Sequence, residues 1–184
     1  MSLILIGMRG AGKTTAARLA AGALGVPWVD CDQEVEARSG KSVARIFDEE
    51  GEPAFRLLER QVLAELIAGG GLHPVGGPRS GEQLIATGGG CVLDPATRAE
   101  LKGSGRVIWL RADPRALRRR IQVSDRPSLT GAPPAAELAE LLRRREPLYA
   151  QCATVTIDTT HTSPQEVSRV IQQLWTDLPH HHLR

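Results

Sequence analysis

Residues 7–14 read Gly7-Met8-Arg9-Gly10-Ala11-Gly12-Lys13-Thr14, the spacing GxxxxGK[ST]. The run follows an apolar stretch and opens a segment rich in Ala and Leu, so it sits where a strand would hand over to a helix. Glycines at these positions let backbone N–H groups turn inward around a phosphate, and the helix N-terminus adds its partial positive charge. Gly10, Ala11, Gly12, Lys13, Thr14 and Thr15 are therefore candidates for holding the phosphates of a nucleoside triphosphate. Lys13 would bridge the β- and γ-phosphates, and the Thr14 hydroxyl would ligate Mg²⁺. The plain alternative is a glycine-rich turn that binds nothing; the strand, the spacing and the Lys-Thr pair together argue against it.

Such residues need a frame. Leu3-Ile4-Leu5-Ile6 is a continuous apolar run, as expected of a strand covered on both faces. Further short strands are expected at Val26–Asp30, Leu84–Thr87, Val107–Leu110 and Val155–Ile157. Helices are expected over Thr14–Leu24, Val35–Ala37, Val43–Glu50, Phe55–Ile67, Thr97–Leu101, Pro114–Gln122, Ala135–Arg145 and Pro164–Leu174. The seventh should stop near Pro147, because the residue before a proline resists the α region. Residues 69–83 are rich in Gly and Pro without periodicity and read as a mobile loop; residues 179–184 read as a frayed tail. Strands alternating with helices imply an α/β fold with a parallel sheet and right-handed crossovers.

Composition narrows the class. The 184 residues suit one domain, and 41% hydrophobic with 24% charged residues is ordinary globular usage. With three Trp, two Phe and one Tyr, the core must rely on aliphatic side chains. Lys and Arg total 23 against 21 Asp and Glu, a net charge of +2 that gives no ground for a nucleic-acid partner. No apolar run approaches the ~20 residues of a membrane helix, and no basic region precedes the first apolar stretch as in a signal peptide. Cys31, Cys91 and Cys152 have no CxxC spacing and read as small buried thiols in a cytoplasmic protein.

A phosphate loop names the donor but not the acceptor. Five further motifs bear on the acceptor: Asp30-Cys31-Asp32 at the end of the second strand, Phe55-Arg56 at a helix start, Gly88-Gly89-Gly90 closing the third strand, Asp125-Arg126-Pro127 in a polar segment, and Arg145-Glu146-Pro147-Leu148-Tyr149. In this order, from Leu3 to about Ile171, the chain closely resembles the shikimate kinases, in the nucleoside-monophosphate-kinase-like branch of P-loop proteins. The resemblance implies a three-layer α/β/α P-loop kinase fold with a five-stranded parallel sheet of order 2-3-1-4-5. It also implies a substrate-binding region near residues 31–61, a lid near 123–134, a monomer, and phosphorylation of the 3-hydroxyl of shikimate by MgATP. By the family pattern Asp32 would hold the shikimate hydroxyls, Arg56 and Arg145 its carboxylate, and Gly88, Gly89 and Gly90 would border it, with Gly89 approaching through its backbone. Arg126 would come down from the lid onto the ATP phosphates, Asp30 would help place the metal through water, and Phe47 and Phe55 would lie beside the ring. The catalytic set is Asp32, Lys13 and Arg126.

The residue types suit that chemistry. An alcohol is a poor nucleophile, so a carboxylate that accepts its hydrogen bond both orients it and can take its proton. Two arginines can grip a carboxylate in bidentate geometry. A lid arginine stabilises charge on the transferring group only once closed, which also excludes water. Plainer roles stand beside these. Asp30 or Asp32 can cap a helix, and Arg56 can pair with Glu52 or Glu59, the latter steering its guanidinium inward. Most of Arg118–Arg120 and Arg143–Arg145 must be solvated helix faces; from the first run Arg119 is placed nearest the nucleotide. Thr160-His161-Thr162 stands where relatives carry an arginine against the adenine.

Overall fold

A computed structural model of the chain describes residues 2–69, 82–104, 106–121 and 134–177. Its centre is a parallel sheet of five strands: β1 (Leu3–Ile6), β2 (Trp28–Asp30), β3 (Leu84–Ala86), β4 (Val107–Arg111) and β5 (Val155–Asp158). Their order is β2-β3-β1-β4-β5. Each pair is parallel, with Leu5 level with both Ala86 and Ile108, and Asp30 level with Ala86. The carboxyl ends of β1, β2 and β3 therefore fall along one edge. The connection after β1 runs to one side, to β2, and that after β3 to the other, to β4, which opens a crevice where ligands of such sheets bind. The sheet order and the α/β class agree with the expectation from sequence.

β1 and β3 are buried at every position, as their unbroken apolar runs require. Seven α-helices flank the sheet among the described residues: α1 (Lys13–Leu24), α2 (Cys31–Ser39), α3 (Val43–Ile67), α4 (Pro95–Ser104), α5 (Pro114–Ile121), α6 (Pro134–Cys152) and α7 (Pro164–Thr176). α1 lays Ala16, Ala17, Ala20 and Ala21 against the core and packs on α7. α4 packs on α3 and α6, and α5 on α6. The core is mainly Leu, Ile, Val and Ala, so replacing Leu5 or Leu63 by Ala would cost about 2–5 kcal/mol. No helix of the described residues is long and apolar enough to cross a membrane.

Two helices differ from expectation. Val43–Glu50 and Phe55–Ile67 belong to one element, α3, broken only at Gly51, whose φ of 85° and ψ of 167° leave the helical region. Pro53 follows at the start of the second half, where its missing N–H costs least. The second correction is at Pro147, which does not end α6; the helix runs on to Cys152. Tyr149 and Cys152 are buried in the core, and that packing offsets the hydrogen bond the proline cannot donate.

Candidate active site

The turn from β1 into α1 is held by close approach. Gly7 has φ of 142°, and a Cβ there would lie 2.4 Å from the Leu110 carbonyl oxygen, so the loop packs against β4 as only glycine allows. Lys13 is 7% exposed and donates to the carbonyls of Gly7 (2.8 Å) and Met8 (3.0 Å). Burial lowers its pKa, while Asp32, Asp30 and Glu59 pull the other way. Thr14 Oγ1 donates to Asp30 Oδ2 at 2.6 Å. Asp30 Oδ1 accepts from the backbone N–H groups of Asp32 (2.9 Å) and Gln33 (3.3 Å), capping α2. Asp30 is thus a cap and a neighbour of the phosphate loop at once. Gly10, Gly12, Lys13, Thr14, Thr15 and Asp30 line one cavity, with Arg9, Asp32, Glu36 and Gly89 at its other side.

A second cavity adjoins the first. Asp32, on the first turn of α2, lines both. One wall is apolar: Val43, Ala44, Phe47 and Phe55, whose two rings lie 4.9 Å apart at 40°. The lining also carries Arg56, Glu59 and Arg145 with Gly88, Gly89 and Gly90, and the Arg56 guanidinium lies over the Phe55 ring, 5.1 Å from its centroid. Arg56 donates to Glu59 Oε2 (2.7 Å) and to Glu52 Oε1 (2.8 Å from Nη2), so both anticipated pairings form and hold the guanidinium on the cavity wall. Glu59 is 2% exposed, and burial raises its pKa against the pull of Arg56. Its Oε1 has no hydrogen-bond partner among the described residues. A Cβ at Gly88 would lie 2.0 Å from that oxygen and 2.8 Å from Asp32 Oδ1, so the glycine is what lets the two carboxylates approach.

α6 supplies the far side. Arg145 Nη1 and Tyr149 Oη both donate to the Gly89 carbonyl, at 3.1 and 2.5 Å. Tyr149 is fully buried and stacks on Trp109 of β4 with centroids 5.7 Å apart. These residues are one helical turn apart, so the continuation of α6 through Pro147 is what brings both donors to one carbonyl. Tyr149 belongs to a motif that the sequence displays, but nothing in the sequence marks it as the second donor.

A third cavity lies beyond the phosphate loop, lined by Ala11, Gly12, Thr15, Arg120, Thr159 and Thr162, with Pro164 and Val167 of α7. The sequence reading places Arg119 nearest the nucleotide; of the two, Arg120 lines this cavity, donating to the Thr159 carbonyl (2.6 Å) and to the Gly10 carbonyl (3.5 Å), and both are exposed on α5. Helical periodicity explains this: Arg120 follows buried Ala116 and Leu117 by four and three residues and so shares their face. Arg126 and the rest of the anticipated lid lie outside the described residues, as do residues 70–81 of the glycine-rich loop and the 178–184 tail.

The elements thus bring Lys13, Thr14, Asp30, Asp32, Arg56, Arg145 and the three glycines together at the carboxyl edge of the sheet. Chemically, the arrangement offers a cationic, N–H-rich cradle on one side and an apolar wall with paired guanidinium groups on the other, meeting at a carboxylate. A family model described as shikimate kinase matches residues 9–175. The shikimate kinase of Thiobacillus denitrificans is 42% identical over 171 residues, covering 92% of this chain and 87% of the relative. That of Thermobifida fusca is 43% identical over 169 residues, 91% of each chain. Among solved structures, shikimate kinase from Acinetobacter baumannii in complex with shikimate superposes with a TM-score of 0.83 at 33% identity, covering 100% of this chain and 95% of that one.

Proposed function

The chain belongs to the shikimate kinase family, and we propose that it transfers the γ-phosphoryl group of MgATP to the 3-hydroxyl of shikimate, a step towards chorismate and the aromatic amino acids. The observation that carries the reading is the meeting of two cavities at Asp32: a phosphate cradle in one, two aromatic rings and two arginines in the other. A small carboxylated ring bearing hydroxyls suits the second cavity. The Phe47–Phe55 wall takes its apolar face, Arg56 and Arg145 take its carboxylate, and Asp32 takes a hydroxyl.

In the reaction the acceptor oxygen bonds to the γ-phosphorus as the bond from that phosphorus to the β–γ bridging oxygen breaks. The electron pair of the broken bond leaves with ADP, and the hydroxyl proton passes to Asp32. Lys13, now bonded to Gly7 and Met8, has its ammonium at the cradle and exchanges those carbonyls for phosphate oxygens. Backbone N–H groups of Gly10 to Thr15 surround the β-phosphate. Arg120 borders the cavity where the base would lie, with Thr162 in the place of an arginine. Arg126, in the segment expected as a lid, would add a cation to the phosphates.

Thr14 Oγ1 and Asp30 Oδ2, 2.6 Å apart at the edge of the phosphate cavity, are hard oxygen donors of the kind Mg²⁺ accepts. Thr14 would hold the ion directly and Asp30 through water, and the ion would supply charge neutralisation on the β- and γ-phosphates. Cys31, Cys91 and Cys152 are buried free thiols, as suits the cytoplasm. A coupled ADP-release assay offering shikimate, gluconate and AMP tests the reading. Release should depend on shikimate; equal release with gluconate or AMP would overturn it.

A further inference from the structure

Three residues border both the phosphate cavity and the acceptor cavity: Asp32, Gly89 and Arg9. Gly89 has no side chain, so among the described residues the charged residues common to both linings are an aspartate and an arginine. Resting on the phosphoryl-transfer reading above, we propose that Arg9 is a catalytic residue of this chain, its guanidinium donating to the oxygens of the phosphoryl group as that group passes from ADP to the acceptor hydroxyl.

Position 9 is one of the unspecified places in GxxxxGK[ST], so cradling a phosphate with backbone N–H groups does not call for arginine there. The local charge does. The phosphate cavity presents Asp30, Asp32 and Glu36. Its cations are Lys13 and Arg9. Leaving aside Mg²⁺ and Arg126, the described lining without Arg9 would set one ammonium beside three carboxylates, with Asp32 at the boundary. The other two arginines of the acceptor cavity do not border the phosphate cavity: Arg56 is bonded to Glu52 and Glu59, and Arg145 to the Gly89 carbonyl. The backbone nitrogen of Arg9 lies 3.0 Å from where a Cβ on Gly89 would be, so the two turns pack closely. The residue is thus held against the turn that separates the two cavities. A donor fixed at that boundary meets the phosphoryl oxygens where charge spreads over them in transit.

The test compares wild type with Arg9→Met and Arg9→Lys in steady-state turnover, and in binding of MgADP alone and of MgADP with aluminium fluoride and shikimate, which imitates the group in flight. Loss of one donor to developing charge costs about 10²–10³-fold in turnover. Arg9→Met should therefore lose about 10²-fold in kcat with KM for ATP and shikimate little changed. It should bind the aluminium fluoride complex about 10²-fold more weakly, bind MgADP normally, and be partly rescued as Arg9→Lys. MgADP binding also reports a folded cradle; Arg9→Gln repeats the comparison if the Met variant fails that check. A neutral variant with unchanged kcat, or with raised KM and unchanged kcat, would overturn the proposal. Absence of shikimate turnover by the wild type would instead overturn the functional reading, and the two failures are distinct.

Discussion

The guanidinium of Arg56 occupies the space that a side chain on Gly90 would need: a Cβ there would lie 2.4 Å from Cζ, Nη1 and Nη2 of Arg56. Glycine at the end of the third strand is therefore a condition for where Arg56 lies. Gly90→Ala should fold, because the obstructing atoms are the far end of a flexible side chain, but it should push Arg56 off the cavity wall. Loss of a charge-assisted hydrogen bond costs about 1.5–3 kcal/mol, so KM for shikimate should rise by about tenfold or more while MgADP binding holds. An unchanged KM with the variant folded would show that Arg56 does not need this position.

Asp32→Asn keeps the shape of the side chain and removes its ability to take a proton. Turnover should fall about 10²–10⁴-fold, with folding and MgADP affinity retained. Near-normal turnover would reduce Asp32 to a residue of the first turn of α2, where Asp30 already supplies the cap.

Glu59 carries a pH signature. Burial raises its pKa above the ordinary value of 4.5, with Arg56 opposing. In the window from that value up to the raised one, the folded protein binds more protons at this site than the unfolded chain, so Glu59 contributes stability at low pH that is lost as pH rises through the window. Glu59→Gln removes that dependence. The difference in unfolding free energy, wild type minus Glu59→Gln, should shrink as pH is raised through the window in denaturant titrations. A difference that grows with pH would mean that Arg56, not burial, dominates the site.

Tyr149→Phe removes one of two donors to the Gly89 carbonyl without changing the packing on Trp109. The remaining bond from Arg145 should limit the stability loss to about 0.5–1.5 kcal/mol. KM for shikimate should rise more than kcat falls, because Arg145 and the glycine turn lose a shared anchor. Kinetics identical to wild type in a measurably destabilised variant would confine Tyr149 to packing.

Much of the fold and of the site is legible in the sequence. The phosphate loop can be read because its spacing, its strand and its helix fall within two dozen residues. The apolar runs at Leu3–Ile6 and Val107–Leu110 locate their strands for the same local reason. The sheet order comes with the family resemblance, since periodicity does not say which strands are neighbours. Pro147 misleads because local propensity ends a helix there, whereas burial of Tyr149 and Cys152 carries it on. Arg119 and Arg120 are adjacent and alike in type, yet Ala116 and Leu117 mark the buried face of α5, and counting four and three residues onward from them reaches Arg120. Arg9 is hidden differently: it occupies an unspecified motif position, and its place between two cavities depends on Gly89, 80 residues away.

The central claim is that Arg56 and Arg145, some 90 residues apart in sequence, converge on one carboxylate. The most direct test is a double cycle: wild type and Arg145→Ala, each measured for binding of shikimate and of its methyl ester. Wild type should lose affinity on esterification by roughly 1.5–3 kcal/mol, because a planar anion loses its charge-assisted partner. Arg145→Ala should be far less sensitive to the same change, giving a clearly non-zero coupling energy, and Arg145→Lys should restore little of it, since an ammonium cannot make two parallel bonds. A coupling near zero would place Arg145 away from the carboxylate and contradict the account of how this cavity chooses its substrate.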